Sequence, residues 1–200
     1  MRSNKLLAAI LVSTFVVVFC LTTLSQPSLA KSDNLKQNKK VVERYITEII
    51  DKMGVGDAPQ DKWNAMADEV GKAIDELFSE KAIQHYPGMP PSAPKGLLQM
   101  IRMGVNKSMV TTVHNIIAEG NLVVAYVSHD LTPMAGSSVM QPRIGCMVKA
   151  SGETIHWDAM ALFKLEDGKI VEQWVSRDDL GALLQYGKIT FEPCSPMPKK

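Results

Sequence analysis

Nothing in the 200 residues has the spacing of a metal centre. No HxH or HExxH occurs, and "SHD" and "HWD", where His and Asp come close, stand isolated. Cysteine is scarce, with three in the chain at Cys20, Cys146 and Cys194. That number excludes a disulfide framework, although a single Cys146–Cys194 pair stays open. Cys146 lies in a strand pattern and fits equally a small core residue. Neither charge sign dominates: the formal net charge is +1, and no basic patch emerges. This argues against a nucleic-acid partner and against a charged membrane-surface role. No internal repeat is visible either. No metal and no nucleic acid are therefore expected.

The N-terminus is what a processed leader looks like. "MRSNK" is a short basic stretch, "LLAAILVSTFVVVFCLTTL" an uncharged apolar run, and "SQPSLA" ends in a small-x-small pattern. Residues 1–30 read as a signal peptide cut after Ala30, giving an exported protein with no membrane contact afterwards. The alternative is a retained N-terminal anchor, because the run is nearly long enough to span a bilayer. Phe19 before Cys20 is too bulky for lipidation. Cleavage leaves 170 residues, enough for one domain with a single core, and a net charge of about −1 once Arg2 and Lys5 leave.

Residues 31–40 are polar and read as a loose lead-in. From Val41 the apolar positions Val42, Tyr45, Ile46, Ile49, Ile50 and Met53 form a helical stripe that Gly54 and Gly56 end. A second helix, roughly Asp61–Phe78, buries Trp63, Met66, Ala67, Val70, Ile74 and Leu77. "KAIQHYP" is extended, "PGMPPSAPKG" is a rim loop, and "GLLQMIRMGVNK" is a short third helix. Strand patterns follow, separated by Gly-Asn, Ser-Gly and Asp-Gly turns. The last of these, "FKLEDGKIVEQW", reads as a hairpin turning at Asp167-Gly168. Helices first and a strand meander afterwards imply an α+β domain over residues 41–187: a curved antiparallel or mixed sheet, cone-shaped, with helices on its concave side. Such a cone encloses a natural ligand cavity. Residues 188–200 are a Pro-rich tail.

Individual side chains suggest what would line it. Tyr45 lies on the first helix's apolar stripe, where its phenol could reach a ligand oxygen or sit at the core boundary. His129 shares a face with Val123, Ala125, Val127 and Leu131, as a core-edge or a pocket group. Ile155, Trp157, Ala159, Ala161 and Phe163 form a continuously apolar strand face, leaving His156 and Asp158 opposite as a solvent-side pair, with a pocket dyad as the alternative. Trp174 packs in the core or supplies an apolar cavity wall. Met89, Met100, Met103, Met109, Met134, Met140, Met147 and Met160 bracket the mouth and strands, and Met160 is taken as a ligand contact. Together they indicate an apolar, forgiving interior.

The string "VVERYITEI", then "ELFSEKAIQHYP", then "ALFKLEDGKIVEQWVSRDDLGALLQYG" resembles the SnoaL-like polyketide cyclases of the nuclear transport factor 2-like superfamily. The resemblance implies the cone fold and an intramolecular aldol closure on a polyketide ester, run by an Asp without metal or cofactor. The matching position is Asp178, four residues after Trp174, and His85 resembles the family's pocket-lining His. The substrate implied is a small apolar carbonyl compound, and pairing of exposed sheet faces implies a homodimer. The superfamily also contains non-catalytic binding or dimerising modules, which is the alternative. For Asp178 and Asp179 the competing reading is structural: Ser176 as N-cap with Asp179 three residues on makes a capping box. An Asp178 facing an apolar cavity favours the enzyme; an exposed one at a helix start favours the module.

Overall fold

The computed structural model describes the backbone of residues 27–141 and 146–185. Most of the expected signal peptide, the Pro-rich tail and Cys194 lie outside the described residues, as do the side chains of Cys146, Met140 and Met147.

Helix α1 (Pro27–Tyr45) continues into a single π-turn, Ile46–Ile50. Residues 31–40, expected to be loose, are helical. They contain neither Gly nor Pro, and Lys, Gln and Leu are good helix formers, so nothing stops the helix from running back from its buried stripe. That stripe is the anticipated one: Val41, Val42, Tyr45, Ile46, Ile49 and Ile50 are all buried. Helix α2 (Gln60–Leu77) buries Ala67, Val70, Ile74 and Leu77, a 3–4 spacing that keeps them on one face. A 3₁₀ turn (Pro94–Leu97) opens the short helix α3 (Leu98–Arg102).

The described residues form seven strands, the first of them between α2 and α3: β1 (Phe78–His85), β2 (Asn106–Glu119), β3 (Leu122–Pro133), β4 (Ser138–Gln141), β5 (Cys146–Lys149), β6 (Ile155–Glu166) and β7 (Lys169–Arg177). Helix α4 (Asp179–Gln185) ends the described chain. The main sheet is open and mixed, in the order β1-β7-β6-β3-β2, and β4–β5 is a separate hairpin. β1 runs parallel to β7, and every other neighbouring pair in the main sheet is antiparallel. The architecture is the expected α+β arrangement, with the helices packed on the inner face of the sheet.

The β6–β7 hairpin turns where the sequence indicates. Asp167 has φ 50° and Gly168 φ 75°, the two left-handed positions that a two-residue turn needs to match strand twist. Alternation along β6 also holds: Ile155, Ala159, Ala161, Phe163 and Leu165 are buried, while His156, Asp158 and Met160 face out. Tyr45 packs edge-on against Phe78 and Phe163, with ring centroids 5.6 and 5.3 Å away. Those contacts join α1 to β1 and β6 and close the core at the cavity's inner end.

Candidate functional site

The inner face of the sheet and the helices enclose a cavity of about 430 Å³. Most of its wall is apolar: Ile46, Ile50, Val127, Ala159, Phe163 and Leu183 line it. Met53, Met89, Met100 and Met109 line it too, so three of the methionines singled out from the sequence reach the interior. Met103 is exposed instead, on the solvent side of the α3 turn.

A continuous polar track crosses this apolar wall. Parallel pairing sets Gln84 of β1 opposite Gln173 of β7, and both are 1% exposed. Gln84 Nε2 donates to Gln173 Oε1 at 2.5 Å, and Gln173 Nε2 donates to the Tyr45 hydroxyl at 3.1 Å. Tyr45 in turn hydrogen-bonds Tyr86, the first residue past β1. Burial pushes both phenols above their ordinary range, so both are neutral at physiological pH. The Arg177 guanidinium lies 6.0 Å from the Tyr86 ring centroid, a cation–π placement. Arg177 Nε also donates to Asp179 Oδ1 at 2.5 Å, and the Asp179 side chain is buried.

His129 closes the far side of the track. It lines the cavity from β3, tilted against Trp157 with ring centroids 5.4 Å apart. Its Nδ1 is 3.0 Å from Thr111 Oγ1. Desolvation, helped by the Arg177 charge, lowers its pKa from 6.5 to about 4, which keeps the imidazole neutral. Tyr45 and His129, two of the residues expected from the sequence to meet a ligand, thus line the cavity.

Four other candidates are placed differently. Asp178 is exposed and caps α4: its Oδ1 accepts from Gly181 N at 2.8 Å. The cap is thus Asp178 rather than Ser176, because β7 runs on to Arg177 and leaves Asp178 as the first non-strand residue. The next residue, Asp179, points inward. His85 sits on the outer face, since strand alternation turns it opposite to Gln84. There it contacts Glu172 Oε1 through Nε2 at 2.9 Å and stacks on Trp174 at 5.3 Å and 7°. Trp174 is 36% exposed and Met160 53% exposed on the same outer face, so neither lines the cavity. The reason is the same period-2 alternation: Gln173 and Val175 point in, and Trp174 between them points out.

His156 and Asp158 are outward, as expected, but each pairs with β3 and not with the other. His156 Nδ1 is 2.8 Å from Asp130 Oδ1, and the Tyr126 hydroxyl donates to Asp158 Oδ2 at 3.2 Å. The cavity residues that sequence reasoning missed are Gln84, Tyr86, Gln173 and Arg177, while between the adjacent Asp178 and Asp179 the sequence leaves the choice of key carboxylate open. Only alternation along "EQWVSR" carried a signal, since it puts Gln173 and Arg177 on one face. Among the described residues no group of His, Cys, Asp and Glu has metal-binding geometry, and no helix is long and apolar enough to cross a membrane.

Residues 61–173 match the family model for the SnoaL-like domain. No curated protein matches the chain. Among solved structures, the fold is similar to AclR of Streptomyces galilaeus, proposed to be a hydroxylase (16% identity, TM-score 0.53, 78% of this chain and 99% of AclR). It is also similar to IdmH of Streptomyces antibioticus, proposed to be a polyketide cyclase (21% identity, TM-score 0.51, 76% of this chain and 99% of IdmH). A third likeness is to an LEH-like epoxide hydrolase of M. tuberculosis (12% identity, TM-score 0.51, 78% of this chain and 92% of that one). At these identities the likenesses show a shared fold.

The buried His129 sets a pH dependence of stability. Unfolded, it takes up a proton near pH 6.5; folded, only near pH 4. The unfolded state therefore binds more protons between those values, and stability falls as pH drops from 6.5 to 4, by roughly 3 kcal/mol. Above pH 6.5 the site contributes no slope. Urea unfolding across that window checks this, and His129→Gln flattens the profile; an unchanged slope in the variant contradicts the assignment.

Proposed function

The chain belongs to the SnoaL-like domain family, and from that premise we propose that it is an acid–base enzyme acting on a small, apolar carbonyl compound with its own side chains. The observation that carries the reading is a buried carboxylate, Asp179, on the wall of a mostly apolar cavity. It takes the part that the sequence pattern suggested for Asp178.

In this reading the Asp179 carboxylate removes a proton from the carbon alpha to a carbonyl, leaving an enolate. The enolate carbon then attacks a second carbonyl of the same molecule, and the resulting alkoxide takes the proton back from Asp179. Isomerisation shares the first step but forms no carbon–carbon bond: Asp179 returns the proton to another carbon of the same enolate system. Arg177 aligns the carboxylate and offers positive charge to the developing enolate. Neutral His129 adds a hydrogen-bonding group without a competing charge. The surrounding apolar wall strengthens both effects by excluding water.

One observation favours a second reading. The carboxylate is already engaged by Arg177 at 2.5 Å, which suits a non-catalytic small-molecule-binding module as well. The proposal also includes export, on the strength of the basic, apolar and small-x-small pattern of residues 1–30, with a retained anchor as its alternative. N-terminal sequencing of the expressed protein separates the two: a start at Lys31 supports cleavage, and an intact Met1 contradicts it.

A homodimer is part of the same proposal. The outer sheet face exposes Ile83, Tyr126, Met160 and Trp174, apolar area that a second copy would cover. Analytical ultracentrifugation is expected to show a dimer that Met160→Glu converts to monomer; a monomeric parent contradicts it.

The enzyme reading is tested by hydrogen exchange of an apolar methyl ketone in D₂O, followed by NMR. Deuterium should enter the alpha position, and Asp179→Asn should slow this about a hundredfold or more. Asp178→Asn, which retains a capping oxygen, should stay close to the parent. Exchange absent from the parent, or unaffected by Asp179→Asn, leaves the binding module as the function.

A further inference from the structure

The hydrogen bonds of the polar track all run one way. Gln84 Nε2 donates to Gln173, and Gln173 Nε2 donates to Tyr45. The Tyr45 oxygen thereby accepts from Gln173, which leaves its own hydrogen to turn to the neighbouring Tyr86 oxygen. The Tyr86 hydrogen is then left over at the end of the series. Among the described residues it has no acceptor, and Tyr86 lines the cavity.

The backbone around Tyr86 is held firmly. Gln84 and Ser92 exchange two main-chain hydrogen bonds at 2.8 and 3.0 Å, and Met89 N donates to Tyr86 O at 3.1 Å. Gly88, at φ 72°, makes that turn possible. The guanidinium of Arg177 against the Tyr86 ring further polarises the phenol. Hydrogen bonds in series strengthen one another, so the last donor is stronger than an isolated phenol.

We propose that Tyr86 is the hydrogen-bond donor that binds the ligand's carbonyl oxygen, with Gln84, Gln173 and Tyr45 as positioning residues that aim and strengthen it. This deepens the acid–base reading and rests on it for the ligand class. It also reassigns Tyr45, whose hydroxyl lines the cavity but is engaged on both sides. The class that fits is a neutral compound with one strong oxygen acceptor on an apolar frame. A carboxylate is not matched, because Asp179 already neutralises the nearby Arg177.

The test uses the full chain and two probes of similar shape, 2-acetylnaphthalene and 2-ethylnaphthalene, binding being read by fluorescence and the ketone band by infrared spectroscopy. Expected in the parent are tighter binding of the ketone and a carbonyl band lower than in an apolar solvent. Tyr86→Phe is expected to weaken the ketone several-fold, return the band upward and leave the hydrocarbon unchanged. Tyr45→Phe, as a positioning change, should shift the band only part of the way. A parent band equal to that in apolar solvent overturns the proposal without any variant. So do equal losses for both probes, a full loss in Tyr45→Phe with none in Tyr86→Phe, or failure of the ketone to bind. Ketone binding through Tyr86 with no alpha-proton exchange would sink the enzyme reading and leave this assignment standing.

Discussion

The hydrogen bond between the Gln84 and Gln173 side chains organises the inner face of this molecule. It joins residues 89 positions apart, across the one parallel strand pair of the main sheet. Two buried amides need partners, because an unpaired buried amide costs about 1–3 kcal/mol. Gln173 accepts from Gln84 through Oε1 and donates from Nε2 to Tyr45 on α1, 128 positions away. The sheet edge and the first helix are thereby registered to each other. The edge-on packing of Tyr45 against Phe78 and Phe163 adds a geometric constraint at the same place.

That registration decides what the cavity presents. With Gln84 and Gln173 fixed inward, alternation places Val175 and Arg177 inward and His85 and Trp174 outward. The cavity thus acquires one ion pair, one neutral imidazole and two neutral phenols in an apolar enclosure. The ion pair carries no net charge, and the two aromatic hydroxyls and His129 are uncharged at neutral pH. A low-dielectric wall makes each of these dipoles more effective than it would be in water. The combination suits a neutral carbonyl compound whose charge appears only during reaction.

Much of the frame was legible in the sequence because it rests on local signals. The stripe from Val41 to Ile50, the apolar face from Ile155 to Phe163 and the Asp167-Gly168 turn each need only their own neighbours. The site was less legible because it depends on which face of a strand looks inward. Asp178 and Asp179 are adjacent and chemically identical, and the end of β7 at Arg177 makes one a helix cap and the other a cavity wall. His85 is expected at the pocket from the family resemblance, Trp174 in the core or cavity wall and Met160 as a ligand contact, yet all three lie outward through strand pairing. Gln84 and Tyr86 gave no signal, since their importance arises from partners far away in the chain.

The central claim is that this cavity holds a neutral, apolar carbonyl compound. Native mass spectrometry of the full chain, with extraction and identification of whatever leaves on denaturation, tests it most directly. The account predicts a small uncharged molecule, mostly hydrocarbon, carrying at least one carbonyl. A bound species that is charged at neutral pH, or that has no carbonyl oxygen, would contradict it.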